Sequence, residues 1–220
     1  MGFGNAFCSH VKNILFSNAS TGWSLSIDPN SKPYFNCTGD GIDVQGSVPI
    51  VANRWYHIAV CREGTSLRLY MDGELIGLAV DGSNLSSGAS DLYVGRLSAS
   101  LTTYDWPGYI DDVRITKGVA RYGLPAVAPA PSELSAGDAC VLNFDGTDAA
   151  TSTTDLASKT WTFYGNAQLD TAQSRYGSAS LLLDGSGDYL QREASGGLPS
   201  GNSNYSISLW LRTTAALHDG

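Results

Sequence analysis

Few groups in this chain are suited to covalent chemistry. It has three histidines, His10, His57 and His218, and four glutamates, Glu63, Glu74, Glu133 and Glu193. His57 follows Trp55-Tyr56 in an apolar run and reads as a structural residue of a strand rather than a base. No Gly-x-Ser-x-Gly elbow presents a serine nucleophile, and neither a P-loop nor a His-Glu-x-x-His pair occurs. Cys8, Cys37, Cys61 and Cys140 are widely spaced with no CxxC pair, which excludes the usual zinc and dithiol arrangements. Cys61, within Ile58-Ala59-Val60-Cys61, reads as a small buried hydrophobe. A disulfide from Cys8 to Cys37 or to Cys140 stays open.

Recognition chemistry is better supplied. Sugar rings are held by aromatic faces with amides or carboxylates beside them. Tyr104, Trp106 and Tyr109 stand close to Asp105 in a segment that runs from loop into strand, and they are read as exposed. Tyr34 and Asn36 offer a second such group. Trp55 and Trp210 read instead as packing residues of a sheet.

Composition agrees with binding rather than catalysis. Charged residues make up only 15% of the 220, glycine reaches 25, and Ser and Thr recur throughout, which suits short strands and tight turns. The net charge of -8 repels phosphate backbones, so nucleic acid is excluded as a partner, while carboxylates suited to a hard cation are available. No apolar run reaches the roughly 18 residues of a membrane span, so no membrane insertion is expected. The opening Met-Gly-Phe-Gly-Asn-Ala-Phe-Cys lacks the basic and apolar regions of a signal peptide.

The elements that must position these groups are strands. Runs bounded by turn residues recur about every ten residues, the signature of a sandwich or barrel. In the first part they are 13–16, 23–28, 34–37, 55–62, 66–71, 74–79, 92–94 and 109–116. Asp72-Gly73 predicts a type I′ hairpin, and Leu67 and Leu69 alternating with Arg68 and Tyr70 predict one core face and one wet face. Residues 123–139, with Leu-Pro-Ala-Val-Ala-Pro-Ala-Pro-Ser, read as a stiff connector. Strands at 140–145, 160–164, 179–183, 189–192 and 206–212 follow, and no helix is predicted.

Three segments together resemble the laminin-G-like, concanavalin-A-like jelly rolls of bacterial surface and phage virion proteins. The first is Asn53-Arg54-Trp55-Tyr56-His57-Ile58-Ala59-Val60 with Leu69-Tyr70-Met71-Asp72-Gly73. The second is Gly108-Tyr109-Ile110-Asp111-Asp112-Val113-Arg114-Ile115, continuing to Lys117-Gly118-Val119-Ala120-Arg121-Tyr122. The third joins Phe144-Asp145-Gly146, Tyr176-Gly177-Ser178-Ala179-Ser180, Leu183-Asp184-Gly185-Ser186-Gly187-Asp188-Tyr189-Leu190 and Ser206-Ile207-Ser208-Leu209-Trp210-Leu211-Arg212.

The resemblance implies an all-β, antiparallel two-sheet sandwich. Such modules open with the Phe-Asp-Gly segment and close with the Ile-Asp-Asp-Val-Arg-Ile strand. Here the closing half, 1–122, precedes the opening half, 140–220, so a circularly permuted module forming one sandwich is expected. Halves exchanged between copies, or a piece of a tandem array, are the alternatives. The resemblance also implies a structural Ca²⁺ held by Asp111, Asp145 and the Gly146 carbonyl. The related glucanases need a Glu-x-Asp-x-(x)-Glu carboxylate set, which none of the four glutamates provides, so no catalytic residue and no enzyme is expected.

The functions implied are a virion component (capsid decoration, fibre or tail-associated) touching host glycans, or a secreted or cell-surface lectin-like domain. A polysaccharide-cleaving enzyme ranks third. Expected partners are carbohydrate, other virion proteins or copies of the chain itself, at the virion surface or outside a cell.

Overall fold

The computed structural model describes residues 12–17, 22–37, 41–85, 91–97, 104–122, 134–192, 198–215 and 217. The described chain forms sixteen strands and no helix: β1 Lys12–Ser17, β2 Trp23–Ile27, β3 Pro33–Cys37, β4 Ile42–Gln45, β5 Tyr56–Glu63, β6 Ser66–Met71, β7 Glu74–Val80 and β8 Leu92–Val94. The remainder are β9 Pro107–Lys117, β10 Asp138–Leu142, β11 Ser152–Thr154, β12 Thr160–Tyr164, β13 Gln168–Asp170, β14 Ser180–Asp184, β15 Tyr189–Arg192 and β16 Tyr205–Thr213.

Two antiparallel sheets form the sandwich. The first runs β11-β12-β15-β8-β1-β2-β3-β4, and the second β13-β14-β9-β16-β5-β6-β7 with β10 also paired to β9. Both halves of the chain contribute to each sheet: in the first, β15 of one half abuts β8 of the other, and in the second their strands interleave. In the second, β9 and β5 of the first half flank β16 of the other, with Ser208 facing Arg114 on one side and Ala59 on the other. Gly108 is required where β9 passes β16, because its φ is +140° and a Cβ there would strike the Arg212 carbonyl.

Alternation places the core. Ile207, Leu209 and Leu211 of β16 join Ile58 and Val60 of β5 and Ile110 and Val113 of β9 from one sheet, and Leu25, Phe35 and Val94 from the other. The hairpin forms as predicted: Met71 faces Glu74, and Asp72 and Gly73 have φ of 51° and 87°, the two positive values of a type I′ turn. Its expected wet face is only partly wet. Tyr70 is fully buried because Tyr122 and Ala120, from the segment after β9, roof the outer side of the sheet over Ala59 and Cys61.

The short strands β4, β11 and β13 were not expected from sequence, and β10 begins at Asp138, inside the stretch read as connector. Residues 123–133 of that connector lie outside the described residues. Cys37, Cys61 and Cys140 are buried, while Cys8 lies outside the described residues.

Candidate functional site

The first sheet carries its core residues on one row and mostly polar residues on the next. Phe163, Leu190, Val94, Leu15, Leu25, Phe35 and Val44 line up across seven strands and pack inward. One residue along, the register runs Ser152, Thr162, Gln191, Tyr93, position 16, Ser24, Asn36 and Asp43, crossing all eight strands. Since side chains alternate, this row points away from the core; Ser152, Thr162 and Asp43 are exposed, whereas Tyr93 and Ser24 are buried at 3% and 7% exposure. At about 4.8 Å between strands it extends roughly 30 Å. Apart from the phenylalanine at position 16, its residues carry hydroxyls, amides, a phenol and one carboxylate, with no lysine or arginine among them.

Local bonds hold the row in place. Gln191 Nε2 donates to Asp91 Oδ2 at 2.8 Å, and the Tyr93 hydroxyl reaches the same oxygen at 3.4 Å. Ser24 Oγ donates to Asn36 Oδ1. Tyr34, two residues along β3 from Asn36 and on the same side, donates its hydroxyl to Asp43 Oδ2 at 2.8 Å, and desolvation with that carboxylate raises the Tyr34 phenol above its ordinary range.

The β12–β15 end bears a tyrosine platform. Tyr164 and Tyr189 are cross-strand partners whose rings stack at 4.4 Å and 2° between planes, and Tyr164 is 38% exposed. Tyr93 lies 5.9 Å from Tyr189. Beneath them the Arg96 guanidinium sits 4.4 Å over the Tyr189 ring. It pairs with Asp105 through Nε at 2.8 Å and Nη2 at 2.7 Å, and Asp105 also accepts the Gly187 N–H.

These positions correct part of the sequence reading. Asp105 and Trp106 are not exposed: both are fully buried, Asp105 in its ion pair and Trp106 in the core between the sheets. They precede β9, where the chain dips inward before the strand begins and Trp106 N–H bonds the Gly95 carbonyl. Tyr104 is half-buried just before them. Tyr109 is half-buried on the outer side of the second sheet, 6.3 Å from Trp55 and under Arg212. The expected group is therefore divided, and only Tyr34 and Asn36 belong to the outward face of the first sheet. Tyr93, Tyr164, Tyr189 and Gln191 were missed, although each sits at an outward position of a strand identified from sequence.

Asp111, Asp145 and Gly146 were tested as a cation site. Asp111 Oδ2 accepts the backbone N–H groups of Arg175 at 2.8 Å and Tyr176 at 3.1 Å, and its Oδ1 accepts that of Asp112 at 2.8 Å. Asp145 Oδ1 accepts Ser178 N at 2.6 Å and Ser178 Oγ at 3.2 Å, and Oδ2 accepts Asn143 Nδ2. The Gly146 carbonyl faces Ser178 Oγ at 3.4 Å. Their lone pairs point at donors, and a Cβ at Gly177 would strike the Asp145 carboxylate, so the loop is clamped tightly. The arrangement fits a loop anchor and does not fit a cation; among the described residues no cluster of metal-binding side chains occurs. Burial raises Asp111 to about 7 against those amides, as it does Asp112 to about 6.

His57 is buried in the second sheet between Tyr122 and Trp210, with ring centroids at 5.7 and 5.2 Å, and desolvation lowers it to about 4. It is a packing residue of the sheet, as its place in the sequence implied.

A laminin G family model, described as the concanavalin A-like lectin/glucanases superfamily, matches residues 8–120. No curated protein and no solved structure matches the chain. Domains of this laminin G type are generally non-catalytic and serve as carbohydrate-binding or structural modules. With just over half of the sequence matched and two antiparallel sheets stacked as a sandwich, the chain belongs to the concanavalin A-like lectin/glucanases superfamily.

Proposed function

We propose that the chain is a non-catalytic virion module that binds neutral glycans across the outward face of its first sheet. The observation that carries the reading is the row from Ser152 to Asp43, a line of hydroxyl and amide groups on either side of Phe16, with the exposed ring of Tyr164 at one end. Hydroxyl-rich ligands suit such donors and acceptors, and the Tyr164 ring, stacked on the buried Tyr189, offers an apolar surface for a sugar ring. The row holds Asp43 and no described cation, which disfavours sulfated or uronic glycans.

The virion setting is supported by the resemblance of Ile115-Thr116-Lys117-Gly118-Val119-Ala120-Arg121-Tyr122 to the close of phage modules. The module's permuted order is part of the same reading, supported by the way strands of residues 134–213 pair with strands of residues 12–122 in both sheets, with β16 inserted between β9 and β5 in the second. The resemblance to secreted lectin-like domains supports a cell-surface lectin as the alternative setting for the same face. An array of neutral and acidic glycans, followed by titration of the best ligand, tests the binding. Binding to neutral glycans only is expected, and no binding to any glycan removes the reading. Mass spectrometry of particles purified from cells making this protein tests the setting, with the chain expected in the particle fraction.

A further inference from the structure

The second sheet ends at β7, and among the described residues no strand pairs with β7 on the side away from β6. Asp81 N donates to the Thr65 carbonyl at 2.8 Å, so that rung is a bonded one. Rungs alternate in an antiparallel pair, and Leu67 with Ala79 is therefore also bonded. Leu78 and Val80 fall on the intervening rungs and turn their N–H and C=O groups away from β6. Their side chains are 60% and 80% exposed. Proteins usually blunt such an edge with charge or proline, yet Leu75-Ile76-Gly77-Leu78-Ala79-Val80 contains neither.

We propose that a second copy of this chain pairs at this edge, β7 running antiparallel to β7 about a two-fold axis beside Ala79. Outward N–H and C=O groups call for a strand, which a helix or a lipid surface does not supply. The axis sets Leu78 opposite Val80 of the second copy, so the two exchange backbone bonds and their apolar side chains meet in symmetric contacts. Charge selects the same place. Two chains of net charge -8 repel each other, and this stretch is uncharged. In this register Asp81 falls opposite Gly77 of the second copy, so no like charges face one another across the ladder. Ser47 N–H already takes the Ile76 carbonyl at 2.8 Å, which bounds the new ladder on that side.

Sedimentation velocity of the full chain over a wide concentration range tests the pairing, with Leu78→Lys and Val80→Lys beside the wild type. The wild type is expected to reach twice the chain mass as concentration rises, and each lysine variant to stay at the single-chain mass with an unchanged circular dichroism spectrum. A wild type that stays single at every concentration, or variants that pair as it does, overturns the proposal. Should a variant misfold, hydrogen exchange of the wild type decides: the Leu78 and Val80 amides are expected to gain protection with concentration, and unchanged exchange overturns the pairing. Glycan titration of the folded variants separates this outcome from that of the binding face, which lies on the other sheet.

Discussion

Arg96 and Asp105 form a bidentate ion pair in the interior, with side-chain exposures of 4% and 0%. The pair joins the loop before β9 to the tyrosines of the first sheet, because the same guanidinium lies against Tyr189. A buried charge stripped of its partner is costly. Asp105→Asn is expected to destabilise the fold by about 3 kcal/mol or more, measured by urea unfolding. An unchanged midpoint would show that the pair does not hold the platform.

The exposed ring of the stack should matter more to ligand than to fold. Tyr164→Ala removes an aromatic surface with little core packing, and a loss of roughly tenfold in glycan affinity is expected. Gln191→Ala, which deletes an outward amide of the row, is expected to cost a few-fold. Titration calorimetry against the ligand selected from the array checks both, with Tyr109→Ala on the other sheet expected to leave affinity unchanged.

His57 predicts a pH dependence of stability. Its folded pKa is lowered to about 4 from 6.5 by burial, so between these values the unfolded chain binds a proton that the folded one refuses. Its contribution to stability is present above about pH 6.5 and is lost as pH falls toward 4. The loss amounts to roughly 2–4 kcal/mol. His57→Gln should flatten that part of the profile in denaturant unfolding at a series of pH values. A profile identical to wild type would contradict the assignment.

Calcium should leave the chain indifferent. With the oxygens of Asp111 and Asp145 engaged by N–H and hydroxyl donors, the melting temperature is expected to be the same in Ca²⁺ and in EDTA. Asp111→Asn, by contrast, is expected to lower it, since an amide cannot accept all three backbone bonds as a carboxylate does. A clear rise in melting temperature with Ca²⁺ would restore the cation reading.

The sequence carried the long strands and their faces because alternation records burial residue by residue, as in Ile207, Leu209 and Leu211. The short strands β4, β11 and β13 were hidden, since three or four residues such as Ser152-Thr153-Thr154 hold no period to read. Trp106 was misplaced for a related reason: whether an aromatic before a strand turns in or out depends on the path of the loop, which has no sequence period. The binding row was illegible for a different cause. Gln191, Tyr93 and Asn36 lie more than 50 residues apart in sequence, and only strand order makes them neighbours. The tight clamp on residues 175–178 likewise depends on which oxygens meet which amides, not on the presence of two aspartates.

A glycan is expected to land on the outward side of the first sheet. Backbone amide shifts of the isotopically labelled chain, followed during titration with the array-selected oligosaccharide, locate it residue by residue. Shifts concentrated on Thr162, Tyr164, Gln191, Tyr93, Ser24 and Asn36 are predicted. Shifts gathered instead around Trp55 and Tyr109, with the first sheet unmoved, would contradict it.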